Sequence, residues 1–382
     1  MTGTLLTDDQ KALVETTLDF ARDHLAPNAL DWDRDKHFPV DVLRKAAGLG
    51  LGGVYVREEA GGCGLSRADG VLVFECLASA CPSIAGYLSI HNMVAWMIDH
   101  YGDDAQRERL LPRLCAMDDL ASYCLTEPGA GSDAAALTTR AVPDGGHWVL
   151  TGVKQFISGA GASQTYVVMA RTGGDGPGGV SAFLVDRDDP GVGFGPDERK
   201  MGWNAQPTRQ VVLDAVRLPA GRLLGREGDG FRIAMNGLNG GRLGIAACSL
   251  GGARSALDRS LAHLADREAF GRRLLDAEAL RFRLADMATE LAAARALVRQ
   301  AAEALDRGDA QAPYLCAMAK RFATDTGYTV ADRALQLHGG YGYLSEYGIE
   351  KIVRDLRVHQ ILEGTNEIMR VIVARGLTEA FG

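Results

Sequence analysis

The sequence contains no apolar run approaching the ~20 residues of a membrane-spanning helix, and it shows no internal repeat or low-complexity tract. Its N-terminal segment has neither a basic region nor an apolar core, so we expect no secretion signal and no arginine-rich transit peptide. Together these absences predict a soluble, intracellular protein. The expected compartment is the bacterial cytoplasm, or the mitochondrial matrix if the source is eukaryotic.

Cysteine pairs of the C-x-x-C type are also missing. The seven cysteines are scattered and odd in number, which favours buried thiols in a reducing compartment over a disulfide framework or a zinc site. The net charge is −8 and no basic stripe is present, so nucleic acid is not an expected partner. An anionic ligand is still compatible with this charge, because single arginines and helix N-termini can bind phosphate.

Helical periodicity dominates the first 120 residues of the 382-residue chain. Thr7, Ser66 and Asp103 each precede such a pattern and are predicted to cap a helix. Four glycines between residues 48 and 53 superficially resemble the G-x-G-x-x-G motif of dinucleotide-binding folds. They end a helix instead of following a strand, so their context excludes that motif.

The sequence pattern in the middle of the chain is typical of β-strands. Short β-rich runs, separated by glycine, proline and aspartate clusters, occupy residues 148–151, 166–169, 180–185 and 210–213. Because no helical pattern lies between them, they predict an antiparallel barrel or sandwich and not a Rossmann sheet.

Helical periodicity returns after residue 231. Long stretches of it cover residues 231–264, 276–306, 312–337 and a last segment near 366–377. Four such helices indicate a bundle. We therefore predict three domains: an N-terminal helical domain (1–121), a middle β domain (122–228) and a C-terminal helical bundle (229–382).

The most informative carboxylate is Glu363, which lies between the apolar pair Ile361-Leu362 and Gly364. Thr365 and Asn366 follow as candidate caps for a helix that begins near Glu367. Partial burial would raise the pKa of Glu363 and make it a plausible base. A helix-capping loop with a solvated glutamate explains the same residues, and this turn alone leaves both interpretations open.

Two glycine- or hydroxyl-containing segments near the β-rich region could hold a planar or phosphorylated group. In Tyr123–Asp133, outward-facing backbone amides at the glycines could cradle a phosphate or the edge of a ring, although a turn between domains is an equally simple explanation. In Phe156-Ile157-Ser158, the aromatic ring and the hydroxyl could stack on and hydrogen-bond to a cofactor, or the phenylalanine could belong to the core.

Three further segments lie in or at the ends of helices. Gly240 and Gly241 interrupt a helical pattern at a cost of roughly 1 kcal/mol each, which indicates close approach of a ligand or helix beside the cation Arg242. Segments 267–271 and 336–343 combine an arginine or histidine with glycines and aromatic residues. Either segment could approach a cofactor closely or could simply terminate a helix.

In this order, the segments 123–133, 267–271, 336–343 and 360–370 resemble the signatures of the acyl-CoA dehydrogenase family, and the resemblance covers essentially the whole chain. It implies the family fold: an N-terminal α-helical domain, a middle antiparallel β-barrel or sandwich, and a C-terminal four-helix bundle. It also implies FAD as cofactor and assembly into a homotetramer, a dimer of dimers. Within the family, segments such as 202–209, 237–242 and 358–364 are most similar to the isobutyryl-CoA branch.

The same resemblance implies which residues form the site. Those expected to contact FAD are Tyr123, Leu125, Thr126, Gly131, Ser132, Phe156, Ile157, Ser158, Arg267, Gln336, Leu337, His338, Gly339, Gly340, Thr365, Asn366 and Glu367. Those expected to contact the acyl-CoA are Ser132, Asn239, Gly240, Gly241, Arg242 and Arg375. Arg267 is expected to reach the cofactor of a neighbouring subunit. Glu278 stands where the family usually has a glutamine, so no cofactor contact is assigned to it.

The implied reaction is the α,β-dehydrogenation of a short branched acyl-CoA, isobutyryl-CoA to methacrylyl-CoA in valine catabolism. The resemblance makes Glu363 the base for the α-proton, makes flavin N5 the hydride acceptor and makes electron-transfer flavoprotein the partner. The alternative base position of the family is Gly241 here, which has no side chain. The glycine pair is expected to leave room for a branched acyl group.

Three alternatives stay open at this stage. One is a dehydrogenase for 2-methylbutyryl-CoA or another short acyl-CoA. Another is an oxidase that passes its electrons to oxygen. The third is a catalytically silent assembly scaffold.

Overall fold

The computed structural model describes residues 6–379, and the chain begins with a helical domain. Its α-helices are α1 (Asp8–Phe20), α2 (Ala29–Asp35), α3 (Val40–Ala47), α4 (Arg67–Ala80), α5 (Pro82–Tyr101) and α6 (Asp104–Cys115). Thr7 and Asp103 form capping boxes and the Ser66 hydroxyl accepts from the Asp69 amide, so the three predicted helix starts are confirmed. The sequence pattern missed α5, because this helix is buried on nearly every side and lacks an amphipathic period.

The middle of the chain forms an eight-stranded sheet. Its strands are β1 (Ala121–Cys124), β2 (Arg140–Asp144), β3 (His147–Ser158), β4 (Thr165–Arg171), β5 (Val180–Asp186), β6 (Val192–Phe194), β7 (Thr208–Pro219) and β8 (Leu223–Leu224). The spatial order is β6-β7-β3-β2-β4-β5-β8, with β1 beside β4. The four predicted β-rich runs all lie in these strands.

The sheet is mixed: five of its strand pairs are antiparallel, as expected for the predicted barrel or sandwich, and two are parallel. β1 runs parallel to β4 over four residue pairs, and β2 meets β4 in parallel at the pair Arg140–Arg171. β1 enters the sheet from α6 and is not joined to β4 by a hairpin. The alternation of apolar residues indicates a strand but carries no information about the direction of its neighbour, so the sequence did not predict the two parallel pairs.

The C-terminal part is helical. Its α-helices are α7 (Gly230–Asp266), α8 (Glu278–Asp306), α9 (Ala312–Leu337), α10 (Ile349–Arg357) and α11 (Asn366–Glu379), with a short hairpin of β9 (Glu268–Ala269) and β10 (Arg272–Arg273) after α7. The four helices expected from periodicity are confirmed. The nine-residue α10 was missed, because it spans too few turns to establish a period.

The hydrophobic core does not follow the three predicted domains. One cluster joins α4 and α5 of the N-terminal part to α7, α8 and α9 of the bundle, and a second joins α5 and α6 to one face of the sheet. The domain limits at 121/122 and 228/229 stay predictions, and their outer ends, residues 1–5 and 380–382, lie outside the described residues. Within residues 6–379, none of the helices combines the length and apolar character required to cross a membrane.

Candidate active site

A cavity of about 630 Å³ lies where α5, the sheet, α7 and the segment after α10 meet. Its apolar wall is formed by Ile90 and Met93 of α5 and Leu238 of α7. The residues predicted from sequence that line it are Tyr123, Leu125, Thr126, Gly131, Ser132, Phe156, Ile157, Ser158, Glu363 and Thr365. Folding thus brings together, around one cavity, segments that lie far apart in the chain, from Tyr123 to Thr365.

Glu363 lies in a left-handed turn on the wall of this cavity, with φ of 56°, and Gly364 follows with φ of 90°. Its carboxylate atom Oε2 is buried and has no hydrogen-bond partner among residues 6–379. Burial raises the pKa of this carboxyl to about 7, against the opposing influence of the cations Arg242 and Lys320. A carboxylate with this proton affinity is suited to accept a proton near neutral pH.

Two buried cations hold the main chain of this turn from opposite sides. Arg242 Nε of α7 donates to the Glu363 carbonyl oxygen at 3.3 Å, and Arg242 Nη1 also donates to Asn239 Oδ1 at 2.9 Å. Lys320 Nζ of α9 donates to the Gly364 carbonyl oxygen at 2.8 Å. Non-glycine residues rarely adopt a positive φ, and these bonds compensate its cost at Glu363.

Gly241 of α7 lies directly against the Glu363 carboxylate. A Cβ atom built on Gly241 would be 2.5 Å from Glu363 Oε2 and 2.9 Å from Met93 Sδ. A Cβ on Gly240 would be 2.5 Å from Arg67 Nη1. Protein atoms therefore fill the space beside both glycines, and this close packing explains why a helix interior carries them; the expected room for a branched acyl group is not what these positions provide.

Three of the non-glycine residues with left-handed backbone line the same cavity: Phe156, Trp203 and Glu363. Phe156 has φ of 59° and lies where the pairing of β3 with β7 shifts register between Lys154 and Ile157. Its ring stays 63% exposed, which is unusual for a phenylalanine within a strand. Backbone strain of this kind concentrates at functional sites, so these positions indicate that the cavity binds a ligand.

Trp203 is fixed by a buried chain of hydrogen bonds. Its amide donates to Asp355 Oδ1 at 2.6 Å, and its indole Nε1 donates to His359 Nε2 at 3.2 Å. Since an indole nitrogen can only donate, His359 accepts at Nε2 and carries its proton on Nδ1, 2.7 Å from Ser249 Oγ. Burial lowers the pKa of His359 to about 3, so the imidazole stays neutral at physiological pH.

The loop after β1 is anchored by a buried ion pair. Lys154 Nζ lies 2.7 Å from Glu127 Oε1 and also donates to the Leu125 carbonyl oxygen at 3.1 Å. The other carboxylate oxygen of Glu127 accepts from the Thr138 amide at 2.6 Å, and Oε1 also accepts from the Thr139 amide at 2.9 Å. The pair therefore ties together both ends of the loop that contributes Leu125 to Ser132 to the cavity.

Tyr123 supplies a second polar atom without a protein partner. Its hydroxyl oxygen is buried and makes no hydrogen bond within residues 6–379. Burial and the nearby Glu363 carboxylate raise the pKa of this phenol, which keeps it a neutral donor. Buried polar atoms are almost always hydrogen-bonded, so Tyr123 Oη and Glu363 Oε2 mark the places where a ligand would supply the missing partners.

Several predicted site residues do not line the cavity. Asn239 and Arg242 are buried and bonded to each other, and Asn366 is buried with its amide bonded to Lys320 and α9. Glu367 and Arg375 are exposed along α11. Their assigned ligand contacts stay predictions.

A second group of predicted residues gathers at the far ends of α7 and α9. Arg267 lies with its guanidinium 5.5 Å from the centre of the Tyr341 ring, and His338 stacks on His263 at 4.5 Å. Gln336, Gly339 and Gly340 are exposed, whereas Leu337 and His338 are buried. A Cβ on Gly339 or Gly340 would meet no described atom within 4 Å, so the surface around these glycines, just after the end of α9, is open.

The sequence analysis missed Lys320, Trp203 and His359. Lys320 is hydrogen-bonded to the turn that carries Glu363, and His359 is hydrogen-bonded to Trp203, which lines the cavity. Lys320 carried the clearest signal: a lysine on a helix face otherwise formed by small and apolar residues such as Cys316 and Ala323. A charged residue on such a face must be paired or functional. Trp203 and His359 gave no comparable signal, because their partners are 110 to 156 residues away in the chain.

Chemically, the arrangement offers a buried base on a rigid turn, a neutral phenol and an exposed aromatic ring around one largely apolar cavity. In the described chain the Glu363 N–H enters no backbone hydrogen bond, which leaves a donor close to the carboxylate. A base beside a free amide donor is suited to remove a proton from a carbon next to a carbonyl group. Within residues 6–379, no cluster of histidine, cysteine and acidic side chains is arranged to hold a metal ion.

Comparison with known families covers almost the entire chain. The acyl-CoA dehydrogenase N-terminal domain matches residues 7–118, the middle domain matches residues 122–216 and the C-terminal domain matches residues 228–378. The three domains occur in the order in which the helical, β and bundle parts follow one another in the structure.

Individual proteins give the same result. Isobutyryl-CoA dehydrogenase, mitochondrial, of Dictyostelium discoideum is 52% identical over 375 residues, which are 98% of this chain and 90% of that protein. A chain from a solved structure of the electron transferring flavoprotein of Acidaminococcus fermentans is 36% identical with a TM-score of 0.95, covering 98% of this chain and 99% of that one. Glutaryl-CoA dehydrogenase from Mycobacterium smegmatis, solved in complex with FADH2, is 28% identical with a TM-score of 0.93, covering 98% and 95%.

Proposed function

The chain belongs to the acyl-CoA dehydrogenase family, and we propose that it oxidises a short branched acyl-CoA thioester, isobutyryl-CoA, to the α,β-unsaturated product. The observation that carries this proposal is the Glu363 carboxylate, whose buried atom Oε2 has no partner in the described chain and which lines the cavity from a strained turn. Such a carboxylate is a base positioned for proton abstraction from carbon, and a solvated capping residue would not be built in this way.

FAD is the cofactor of this family, and the cavity fits it on three counts. Phe156 presents an exposed ring at a strained position, Tyr123 has an unsatisfied hydroxyl, and Thr126, Ser132 and Ser158 add hydroxyl groups along the wall. These residues would hold the flavin, which supplies hydride acceptance from the β-carbon when bound. We propose that Arg267 and the segment Gln336–Gly340 contact the cofactor of a neighbouring subunit, because they lie away from the cavity on an open surface.

The protein's own groups account for the proton transfer. Glu363 accepts the α-proton of the thioester, and its high proton affinity comes from burial. Its amide N–H is free to donate to the thioester carbonyl oxygen, where negative charge develops as the proton leaves. Ile90, Met93 and Leu238 exclude water from this part of the cavity, which strengthens both interactions.

We expect Gly241→Ala to lower kcat/KM for isobutyryl-CoA about 100-fold, since a shift of the base by roughly 1 Å costs this much. The added methyl carbon would meet Glu363 Oε2 at 2.5 Å and displace the carboxylate. Steady-state kinetics with a dye acceptor measure the effect. Gly240→Ala is the matched comparison: its methyl group meets the buried Arg67 guanidinium and not the base, so the loss should be about tenfold smaller. Equal losses would show that the helix, and not the base, is disturbed.

The preference for isobutyryl-CoA is supported by the 52% identity to isobutyryl-CoA dehydrogenase, and the apolar wall of the cavity that contains Glu363 suits a short hydrocarbon group. It is tested by mixing the purified holoenzyme anaerobically with straight and branched C4 to C8 acyl-CoAs and following flavin bleaching. Isobutyryl-CoA should give the highest rate. One missing or additional methylene should change kcat/KM by about 10- to 200-fold.

Three outcomes of this panel, and one of an aerobic assay, contradict the proposal. Faster bleaching by hexanoyl-CoA or octanoyl-CoA than by isobutyryl-CoA would overturn the proposed substrate. A higher rate with 2-methylbutyryl-CoA would identify the enzyme as a 2-methylbutyryl-CoA dehydrogenase. Absence of bleaching with every thioester would favour the catalytically silent scaffold. Oxygen uptake with peroxide release at the full turnover rate would identify an oxidase.

We further propose that the enzyme is a homotetramer, a dimer of dimers, that passes its electrons to an electron-transfer flavoprotein. The tetramer is supported by large apolar side chains exposed in the C-terminal part, among them Phe270, Phe282 and Tyr343. The acceptor is supported by the similarity to a chain solved within an electron transferring flavoprotein structure. A place in valine catabolism, in the bacterial cytoplasm or the mitochondrial matrix, agrees with this substrate and acceptor.

A further inference from the structure

We propose that Lys320 is a positioning residue for the base: its ammonium group holds the Glu363-Gly364 turn through the main chain and supplies a positive charge that favours the carboxylate form of Glu363. The proposal rests on the proposed function, because it assigns Lys320 a role in proton removal by Glu363.

Lys320 of α9 is hydrogen-bonded to two residues just after the base, Gly364 and Asn366. Its side chain is fully buried, and Nζ donates to the Gly364 carbonyl oxygen at 2.8 Å and to Asn366 Oδ1 at 2.9 Å. Asn366 is itself fixed, since its amide nitrogen donates to Thr324 Oγ1 at 3.0 Å and to Asp325 Oδ1 at 2.7 Å. Lys320 therefore connects α9 to the first residue of α11 and to the residue that follows the base.

Among residues 6–379, Lys320 has no direct carboxylate partner that would explain it as an ordinary buried ion pair. Both its hydrogen bonds within the described chain go to uncharged oxygen atoms. A buried ammonium group without a counter-ion is costly to a fold, so its position behind the base calls for a function. The other groups that influence its charge are Arg242 from α7, Asp325 from its own helix, Glu363 from the turn and Glu367 from α11. His359 also lies close, but it is neutral at physiological pH.

The direction of the electrostatic effect follows from these neighbours. Burial lowers the pKa of Lys320 to about 7, and its positive charge opposes the burial that raises the pKa of Glu363. When the charge is removed, Glu363 holds its proton more strongly. Because only the unprotonated carboxylate can accept the α-proton, the activity should then reach half of its maximum at a higher pH.

The test compares pH profiles of flavin bleaching by isobutyryl-CoA for the wild type and for Lys320→Met, Lys320→Gln and Lys320→Arg. The two uncharged variants should shift the acid limb upward by about one pH unit and lower kcat about 100-fold through the loosened turn. Their dissociation constants for a non-reacting thioester should change by less than about threefold, because the lost interaction acts on the base. Lys320→Arg should restore most of the rate and place the acid limb at or below that of the wild type, since a guanidinium stays protonated.

Arg333→Met is the charge control. It removes a half-exposed cation from the same helix, one that pairs with Glu290 of α8 at 3.0 Å, and should leave the pH profile unchanged. If Lys320→Met and Lys320→Gln do not fold, Lys320→Arg still decides: an acid limb above that of the wild type overturns the proposal. An unchanged profile and kcat in the uncharged variants overturn it as well. Failure of the wild type to bleach with any acyl-CoA refutes the proposed function instead.

Discussion

Replacement of Glu363 by glutamine is expected to slow flavin reduction by isobutyryl-CoA about 10²- to 10⁴-fold, the usual contribution of a general base. The substitution preserves the shape of the side chain but removes its ability to accept a proton. It breaks no protein hydrogen bond at Oε2, because that atom has none. The measurement is the rate of flavin bleaching in a stopped-flow experiment.

The variant should keep its yellow colour and bind the thioester, which a spectral titration of the flavin would show. Glu59→Gln is the control, since this glutamate is exposed and distant from the cavity, and it should reduce at the rate of the wild type. Reduction by Glu363→Gln at a near wild-type rate would mean that another group removes the α-proton. Loss of flavin together with loss of rate would point to a structural effect.

Replacement of Lys154 by methionine should destabilise the protein by about 3–5 kcal/mol, the typical effect of leaving one partner of a buried ion pair alone. Lys154 is fully buried and lies 2.7 Å from Glu127, which would remain as an uncompensated carboxylate behind the cavity loop. We expect a lower urea midpoint and release of flavin during gel filtration. Both follow because Leu125 and Thr126 depend on this anchor.

Two comparison variants separate charge burial from a general weakening of the sheet. Lys154→Met combined with Glu127→Leu removes both charges and should recover a large part of the lost stability. Arg217→Met breaks the exposed pair with Asp144 and should cost no more than about 1 kcal/mol. If Lys154→Met were as mild as Arg217→Met, the buried pair would not anchor the loop.

The same pair predicts how stability depends on acid pH. Burial alone would raise the pKa of Glu127, but the charge of Lys154 and hydrogen bonds from Lys154, Thr139 and Thr138 hold it at about 2, below its ordinary value of 4.5. A lowered pKa means that the stabilising contribution is fully present above pH 4.5 and is lost as the pH falls towards 2. In the variant lacking both charges this part of the acid sensitivity should disappear.

Sequence periodicity alone was sufficient for most of the secondary structure. Helix caps such as Thr7 and Asp103 are local signals, since their hydrogen bonds reach only three residues along the chain. Long amphipathic helices such as α8 are equally visible in the pattern. The direction of β1 and the existence of α5 were not visible in the sequence pattern. The pairing of β1 with β4 and the burial of α5 on all sides depend on distant segments.

For the site, the resemblance of the sequence to its family predicted the base and the segments that surround it. Glu363 stands in a recognisable turn, and Gly241 at the alternative base position left no other candidate of that kind. What the residues could not show is why a glycine occupies that position. Only the folded chain reveals that the carboxylate packs against it.

Tertiary structure decided the properties on which catalysis depends. The high pKa of Glu363 comes from burial among α5, α7 and the turn, and the strained backbone of the turn is held by Arg242 and Lys320 from two different helices. Burial and long-range hydrogen bonds depend on residues that are far apart in the sequence, so no local sequence pattern encodes them. The sequence by itself, through its resemblance to the family, thus predicted which carboxylate acts as the base, and the fold determined its proton affinity and its rigid position.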